Sequence, residues 1–164
     1  MQFAIRPEIP ADLSAIYQLN AAAFGRDAEA RLVDALRANG ALLLSLVAEA
    51  DGELVGHIAF SSVVIDSEAS PLVGVGLAPL AVAPMHQRHG AGSRLVKEGL
   101  RCLRTAGHCW CVVLGHANYY PRFGFVLART HGIRWEKPIP RLTQTAIVRS
   151  LSVLYDTTRH CTNN

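Results

Sequence analysis

The sequence predicts a single α/β domain of the mixed α+β type, built on a largely antiparallel central sheet that contains one parallel pair of strands. Its 164 residues suit one domain with a substantial core, and half of them are apolar. Two strands joined at residues 50–52 form a predicted hairpin, which is antiparallel. A later strand–helix–strand segment requires a parallel pair, because the chain must cross back over the sheet.

Apolar periodicity and turn residues place each element in order. Helices are expected where apolar residues recur every three or four positions, and strands where short apolar runs are bounded by turn residues. The predicted strands cover residues 3–6, 42–49, 53–65, 71–82, 110–114 and 145–153. The predicted helices cover residues 11–24, 28–38, 91–105 and 117–123. The domain is expected to span residues 1–155, with a disordered tail at 156–164.

No targeting signal is expected from this sequence. Glu8, Pro10 and Asp12 interrupt the first apolar residues, so no signal peptide is expected. The apolar runs are shorter than the roughly 20 residues that span a bilayer. The four cysteines form no regular framework, which favours reduced thiols. A cytoplasmic protein without a membrane partner is therefore predicted.

Charge is divided unevenly along the chain. Residues 1–81 carry ten acids and four arginines, a net charge of −6. Residues 82–164 carry twelve bases and three acids, a net charge of +9. The second half is therefore suited to an anionic ligand and the first half to a cationic one. Chance drift of solvated surface charge is the alternative.

A glycine turn precedes the helix predicted at 91–105. Gly90 and Gly92 lack Cβ atoms, so backbone N–H groups there can approach a bulky oxyanion closely. The unpaired N–H groups and positive dipole end of the first helical turn favour a pyrophosphate site. Arg88, His89 and Arg94 would add positive charge. Taken alone, such a pattern is more often a tight turn that binds nothing.

Pro79 interrupts an otherwise buried apolar strand. Proline cannot donate to the hydrogen-bond ladder, so it belongs at a bulge or where pairing stops. Because it lies three residues before the strand's end at Val82, the strand and its parallel neighbour are expected to splay apart there. Free backbone groups between splayed strands can bind an extended ligand. An ordinary bulge without a ligand is the alternative.

Other motifs carry less weight. A lone strand histidine such as His57 is expected to be packed and hydrogen-bonded. The His108-Cys109-x-Cys111 segment lacks a second ligand pair with zinc spacing, so no metal site is predicted. The bases on the helix at 91–105 have no interleaved aromatic residues, and nucleic acid is therefore not an expected partner.

Together these motifs resemble the GNAT N-acetyltransferase superfamily. The resemblance rests on Leu80-Ala81-Val82 leading into Gln87-x-x-Gly90-x-Gly92, and on the later segment Tyr120-Pro121-Arg122-Phe123-Gly124-Phe125. Within the superfamily, residues 77–82 and 117–125 are particularly similar to the YhbS-like predicted acetyltransferases. The resemblance covers roughly residues 1–127.

The resemblance implies a GNAT acyltransferase fold with acetyl-CoA as co-substrate. In the family, backbone amides of the glycine turn bind the pyrophosphate of coenzyme A, and the preceding strand bonds the pantetheine arm. The implied coenzyme-binding residues are Leu80, Ala81, Val82, Gln87, Arg88, His89, Gly90, Ala91, Gly92 and Ser93. A tyrosine near the thioester sulfur acts as general acid, and its spacing from Gly124-Phe125 identifies it as Tyr120 rather than Tyr119.

The resemblance leaves the general base open. Many relatives carry a carboxylate on or near the equivalent strand, whereas residues 73–82 contain no Asp or Glu. His116 is a candidate because histidine is the residue type that titrates near neutrality. A surface role for His116 and a chain of water molecules are the alternatives. The predicted function is direct transfer of an acetyl group from acetyl-CoA to a primary amine; the alternative is a non-catalytic acyl-CoA-binding or regulatory domain of the same fold.

The acceptor is expected to be a cationic amine, either a small molecule or a peptide lysine. In the superfamily the first two helices line the acceptor side of the cleft, and this region carries Asp27, Glu29 and Asp34. An acidic entrance would steer a polyamine-like or aminoglycoside-like compound inward. Alternatively, these acids only solvate the second helix, partly neutralised by Arg26 and Arg31. In some relatives the last strand forms a dimer, so a homodimer is left open.

Overall fold

The computed structural model describes residues 2–65, 71–116 and 118–133, together with the backbone of residues 144–150. Seven strands and three α-helices lie within these residues. The strands are β1 (Ala4–Pro7), β2 (Leu42–Ala50), β3 (Glu53–Ile65), β4 (Leu72–Val82), β5 (Trp110–His116), β6 (Val126–Leu127) and β7 (Gln144–Ser150). The helices are α1 (Leu13–Phe24), α2 (Ala28–Ala38) and α3 (Ala91–Thr105).

All seven strands belong to one sheet, in the order β1-β2-β3-β4-β5-β7-β6. Neighbouring strands run antiparallel except β4 and β5, which are parallel. The chain passes from β4 to β5 through α3, which is the crossover that the strand–helix–strand order predicted. The predicted fold class is therefore confirmed.

Each face of the sheet has its own core. On one face α3 packs over Ile58 and Phe60 of β3. The intervening residue Ala59 points to the other face, where it packs with Ile16 of α1 and Val33 of α2. The sheet therefore separates two layers, which we call the α3 face and the α1/α2 face.

The segment after β5 differs from its prediction. Of the helix predicted over 117–123, residues 118–119 form a turn and Tyr120–Phe123 a single 3-10 turn, while residue 117 lies outside the described residues. Pro121 suits the start of this turn, and Gly124 ends it in the left-handed conformation at φ 82°. Four residues are too few for an α-helix. The short strand β6 that follows was not predicted.

The last predicted strand corresponds to β7, which pairs with β5 along its whole length. Residues 151–153 of that prediction lie outside the described residues, as does the predicted tail at 156–164. No helix among those described is both long and apolar enough to cross a bilayer.

The cysteines divide into two groups. Cys102 and Cys111 form no disulfide, as predicted. Cys109 is disulfide-bonded, which the prediction of reduced thiols did not anticipate. That prediction relied on the absence of a regular framework of cysteines, and this criterion does not detect a single bridge.

Candidate active site

The strands β4 and β5 pair over only a short part of their length. Their parallel register joins residues 75–76 of β4 to residues 111–112 of β5. Just beyond it, β4 shifts its register with β3 at Ala78-Pro79, where the proline has no N–H to donate. The two strands then separate toward their carboxyl ends. This separation confirms the splay predicted from Pro79.

A cleft of about 960 Å³ opens where the strands separate. One part of its wall, including Leu80 and Val82, packs against the core of the α3 face. Another part comes from Phe24 of α1 and Leu32 of α2, whose helices cover the opposite face. The cleft therefore reaches both layers of the molecule, and we refer to its α3 end and its α1/α2 end.

The glycine turn lies at the α3 end. Arg88 and Gly90 adopt left-handed backbone conformations, with φ angles of 64° and 95°. The first backbone hydrogen bond of α3 runs from the Arg94 N–H to the Gly90 carbonyl, at 3.0 Å. The N–H groups of residues 91–93 precede this bond, and these residues line the cleft. They are backbone donors at the positive end of a helix, an arrangement that favours an anion.

Two contacts fix this turn against the cleft wall. The Gln87 side-chain amide donates a hydrogen bond to the Val82 carbonyl at 3.2 Å, which ties the turn to the end of β4. A Cβ at Gly92 would lie 3.2 Å from the Tyr119 hydroxyl and 3.4 Å from a methyl group of Val82. Glycine at position 92 therefore allows a close approach that any side chain would disturb.

Tyr120 lies beside the splayed strands and is only 7% exposed. Its ring packs against Tyr119 and Phe125, with centroids 5.0 and 5.6 Å away. A Cβ at Gly115 of β5 would lie 2.7 Å from the Tyr120 ring atom Cδ2, so glycine lets the ring rest on the strand. Burial raises the pKa of Tyr120, and the phenol therefore stays protonated and able to donate.

Tyr119 connects the aromatic cluster to the glycine turn. Its hydroxyl faces Gly92, and the Arg122 guanidinium lies 4.7 Å from its ring centroid. Tyr119, Arg122 and Arg88 all line the cleft. This end of the cleft thus carries two guanidinium groups next to the backbone donors.

The sequence also matches a known family over this region. A family model for the acetyltransferase (GNAT) domain matches residues 42–127, from β2 to β6. The uncharacterized N-acetyltransferase YhbS of Escherichia coli strain K12 is 44% identical over 135 residues, which cover 82% of this chain and 80% of YhbS. The chain belongs to the GNAT acetyltransferase family.

Solved structures of relatives contain the coenzyme. The 1.55 Å crystal structure of E. coli YhbS in complex with CoA matches this GNAT chain with a TM-score of 0.82 and 40% identity, covering 93% of this chain and 83% of that one. A GNAT acetyltransferase from Brucella melitensis in complex with acetyl-CoA matches with a TM-score of 0.72 and 46% identity, covering 77% and 84%.

In this GNAT domain most of the implied coenzyme-binding residues meet at the cleft. Those that line it are Leu80, Val82, Gln87, Arg88, Gly90, Ala91, Gly92 and Ser93. The side chain of Ala81 is buried at 1% exposure, and His89 is an exposed residue of the turn. Neither belongs to the cleft lining. Tyr120 and His116 do line it, and His116 lies exposed at the end of β5.

The α1/α2 end of the cleft is more apolar than the sequence predicted. Phe24 and Leu32 line it with 39% and 43% of their surface exposed, although both are large apolar residues. Within the part of the chain that the structure describes, Glu29 is the one acid that lines the cleft. Asp27 and Asp34, which were expected to make the entrance acidic, lie outside the lining.

All three acids of α2 and its N-cap are also paired with arginine. Each pair lies within one turn of helix, so its partners share one face. The pairs are Arg26 with Glu29, Asp27 with Arg31 at 2.7 Å, and Asp34 with Arg37 at 2.8 Å. The predicted acidic entrance is therefore locally neutral, in line with the alternative that these acids serve mainly the helix surface.

A buried chain of hydrogen bonds holds α1 against the sheet. His57 is fully buried, with Nδ1 3.0 Å from Asn20 Nδ2 and Nε2 3.0 Å from Ser45 Oγ. Because the Asn20 amide can only donate, Nδ1 accepts and Nε2–H donates to Ser45. Ser45 in turn donates to the Glu8 carboxylate, which Arg37 holds with two bonds of 3.0 Å. His57 is thus packed and satisfied, as the sequence predicted.

The same chain of bonds sets the charge state of its members. Burial lowers the pKa of His57 to about 4, so the ring is neutral. Burial raises the pKa of Glu8, but the bonds from Arg37 and Ser45 outweigh this and lower it overall. Asn20 lies one helical turn before Phe24 on the same face of α1. The network therefore positions the helix that lines the α1/α2 end of the cleft.

The described residues contain no cluster of metal-ligating side chains. Within residues 2–65, 71–116 and 118–133, no group of three or more His, Cys, Asp or Glu side chains could hold a metal ion. His108 and Cys109, which the sequence raised and set aside as ligands, precede β5 at the end away from the cleft.

Proposed function

We propose that this GNAT protein transfers the acetyl group of acetyl-CoA directly to a primary amine. One observation carries the proposal: a single cleft brings together the backbone donors of residues 91–93, the splayed end of β4 and the buried Tyr120. Along the cleft lie, in order, donors suited to an anion, a strand end suited to an extended arm, and a proton donor. The relatives solved with CoA and acetyl-CoA support acetyl-CoA as the donor.

The α3 end suits the coenzyme. Its pyrophosphate would accept hydrogen bonds from the N–H groups of residues 91–93, with Arg88 and Arg122 adding positive charge. The pantetheine arm would follow Leu80 and Val82, where β4 no longer pairs with β5. This arrangement directs the thioester toward the splay, next to Tyr120.

The proposed reaction needs three proton movements. The acceptor ammonium first loses a proton, and its nitrogen then attacks the thioester carbonyl carbon. A C–N bond forms, the C–S bond breaks, and the departing thiolate takes a proton from the Tyr120 hydroxyl. Tyr120 recovers a proton as the product amide forms, so one proton is released for each acetyl group transferred. The raised pKa of Tyr120 keeps its proton in place until the thiolate, a strong base in the same dry surroundings, has formed.

The acceptor proton would leave through His116 or through water. His116 lines the cleft and is exposed, so it can exchange protons with solvent. Residues 73–82 carry no carboxylate, which favours the rival function of a non-catalytic acyl-CoA-binding domain. Placement of Tyr120 and His116 at one cleft favours catalysis. A cytoplasmic location stays a prediction of the sequence.

Two measurements test the proposal together. Acetyl-CoA at about 100 times its dissociation constant should stabilise the fold by roughly 2.7 kcal/mol, a shift of several degrees in Tm. A panel of primary amines should then release free thiol from acetyl-CoA. A Tm shift without thiol release for any amine would favour the binding domain, and an unchanged Tm at millimolar acetyl-CoA would refute both functions.

A further inference from the structure

We propose that the acceptor is a monoamine whose amino group is carried on an apolar aliphatic or aromatic body, and that Phe24 and Leu32 bind this body. The inference rests on the proposed acetyl transfer and names the class of acceptor for that site. It narrows the cationic amine that the charge distribution of the sequence favoured to one with a single amino group, and it sets aside polyamine-like and aminoglycoside-like compounds.

The wall of the α1/α2 end presents two large apolar side chains to the cleft. Phe24 ends α1 and Leu32 lies on α2, and Gly25, with φ 67°, turns the chain between the two helices. Both side chains line the cleft while 39% and 43% exposed. Exposed apolar side chains gathered in a concave site mark a place where an apolar ligand excludes water.

The charges near this wall also favour an acceptor with a single amino group. A diamine or polyamine brings at least two positive charges, and a second charge held against this wall, out of water, would need an acidic partner there. Among the residues that the structure describes, Glu29 is the acid that lines the cleft, and Arg26 already binds its carboxylate, with Nε 3.0 Å from Oε2. Asp27 and Asp34 are paired with Arg31 and Arg37. The wall therefore offers apolar contact and little net negative charge.

The two ends of the cleft then divide the reaction between them. The coenzyme occupies the α3 end, and the amine nitrogen must reach the thioester at the splay. The rest of the acceptor extends toward α1 and α2, where Phe24 and Leu32 stand. Binding of the apolar body there holds the nitrogen near the thioester, and this contact contributes to kcat/KM.

Three acceptors of one chain length separate the alternatives. Hexylamine, 1,6-diaminohexane and 6-aminohexanoate share a primary amine on six carbons and differ at the far end, which is apolar, cationic or anionic. Thiol release from acetyl-CoA at constant ionic strength should give hexylamine a kcat/KM at least about tenfold above each of the others. Equal or higher values for 1,6-diaminohexane would overturn the inference while leaving acetyl transfer intact.

A matched pair of variants assigns the effect to the wall. Leu32→Ser should lower kcat/KM for hexylamine by about tenfold and change that for 1,6-diaminohexane much less. The control is Leu43→Ser on β2, which is exposed to the same degree (42%) and lies outside the cleft lining. Both variants should keep the wild-type Tm shift with acetyl-CoA. An equal loss in the two variants, or none in Leu32→Ser, would remove Leu32 from acceptor binding.

The failures are distinguishable. If acetyl-CoA shifts Tm but no amine of the wider panel releases thiol, the proposed function and the acceptor class fall together. If other amines of the panel release thiol and none of these three does, only the acceptor class falls. If thiol is released with the cationic or anionic acceptor preferred, only the acceptor class falls.

Discussion

The two ends of the cleft differ in whether backbone or side-chain groups supply their contacts. At the α3 end the contacts come mainly from the backbone: N–H groups of residues 91–93, a glycine that admits Tyr119, and a strand that stops pairing at Pro79. At the α1/α2 end they come from side chains, with Phe24 and Leu32 forming the wall. Behind that wall the polar network around His57 fixes α1.

This difference explains what each end can tolerate. Backbone donors remain in place whatever the neighbouring side chains are, so one anionic ligand can be bound by many related sequences. A wall of side chains changes with each substitution, and with it the acceptor changes. We therefore expect variants at the α3 end to alter coenzyme binding, and variants at the α1/α2 end to alter acceptor choice or stability.

The largest effect is expected at Gly92. Gly92→Asp would place a carboxylate among the backbone donors and within reach of the Tyr119 hydroxyl, which lies 3.2 Å from the Cβ position. The side chain would fill the space that the pyrophosphate needs and its charge would repel the phosphates, so coenzyme affinity should fall by on the order of 10³, about 4 kcal/mol. Calorimetric titration with acetyl-CoA measures this. Lys97→Asp, on the exposed side of α3, changes more charge and should leave affinity within about threefold.

An effect of similar size is expected at His57, which lies behind the α1/α2 end of the cleft. Here the quantity that changes is the free energy of unfolding and not the affinity for coenzyme. The folded protein keeps His57 neutral with a pKa of about 4, whereas the unfolded chain binds a proton near pH 6.5. Between those values the unfolded state binds more protons, so stability is lost as pH falls from about 6.5 to 4. The total loss from this group is about 3 kcal/mol.

Denaturant unfolding at several pH values checks this. His57→Gln removes the titration and should flatten the stability curve of the protein between pH 6.5 and 4, even if its stability at pH 7 is lower. His89→Gln, in the exposed turn, should keep the wild-type slope. A wild-type slope in His57→Gln would mean that His57 is not the group that titrates.

Tyr120→Phe should lower kcat by about 10², because the phenol proton reaches the leaving thiolate only in the transition state. Coenzyme affinity should stay nearly constant, since the ring still packs against Gly115 and Phe125. Tyr119→Phe should have a milder effect on kcat. Steady-state thiol release and calorimetry give both quantities, and equal losses in the two variants would speak against Tyr120 as the acid.

Elements that depend on backbone chemistry were readable from the sequence. Pro79 marked the end of strand pairing because it lacks an N–H, and the glycines of residues 90–92 marked a helix start open to an anion. Tyr120 followed from family resemblance. The role of Gly115 was missed, although a glycine near the end of a buried strand signals a close approach.

Side-chain pairing was harder to read. The spacing of Asp27 and Arg31 allowed an ion pair, and Arg31 was named as partly neutralising these acids, but spacing alone does not show that the pair forms. The His57 network draws its partners from α1, α2, β2 and the segment after β1, so no local pattern contains it. Contacts between segments that are distant in sequence determine the charge and polarity of the α1/α2 end. Such contacts can be identified only once the fold is known.

The smallest effect is expected from the acids that first suggested a cationic acceptor. Asp27 is half exposed, paired with Arg31 at 2.7 Å and outside the cleft lining. Because an exposed pair of this kind contributes little, Asp27→Asn should change kcat/KM by less than about twofold for cationic or apolar acceptors. Raising salt from 50 to 300 mM shortens the Debye length from above to below about 10 Å. This change should likewise leave the kcat/KM for 1,6-diaminohexane nearly constant. Strong salt dependence that disappears in Asp27→Asn would restore electrostatic steering as the selector, and the α1/α2 end would then select by charge after all.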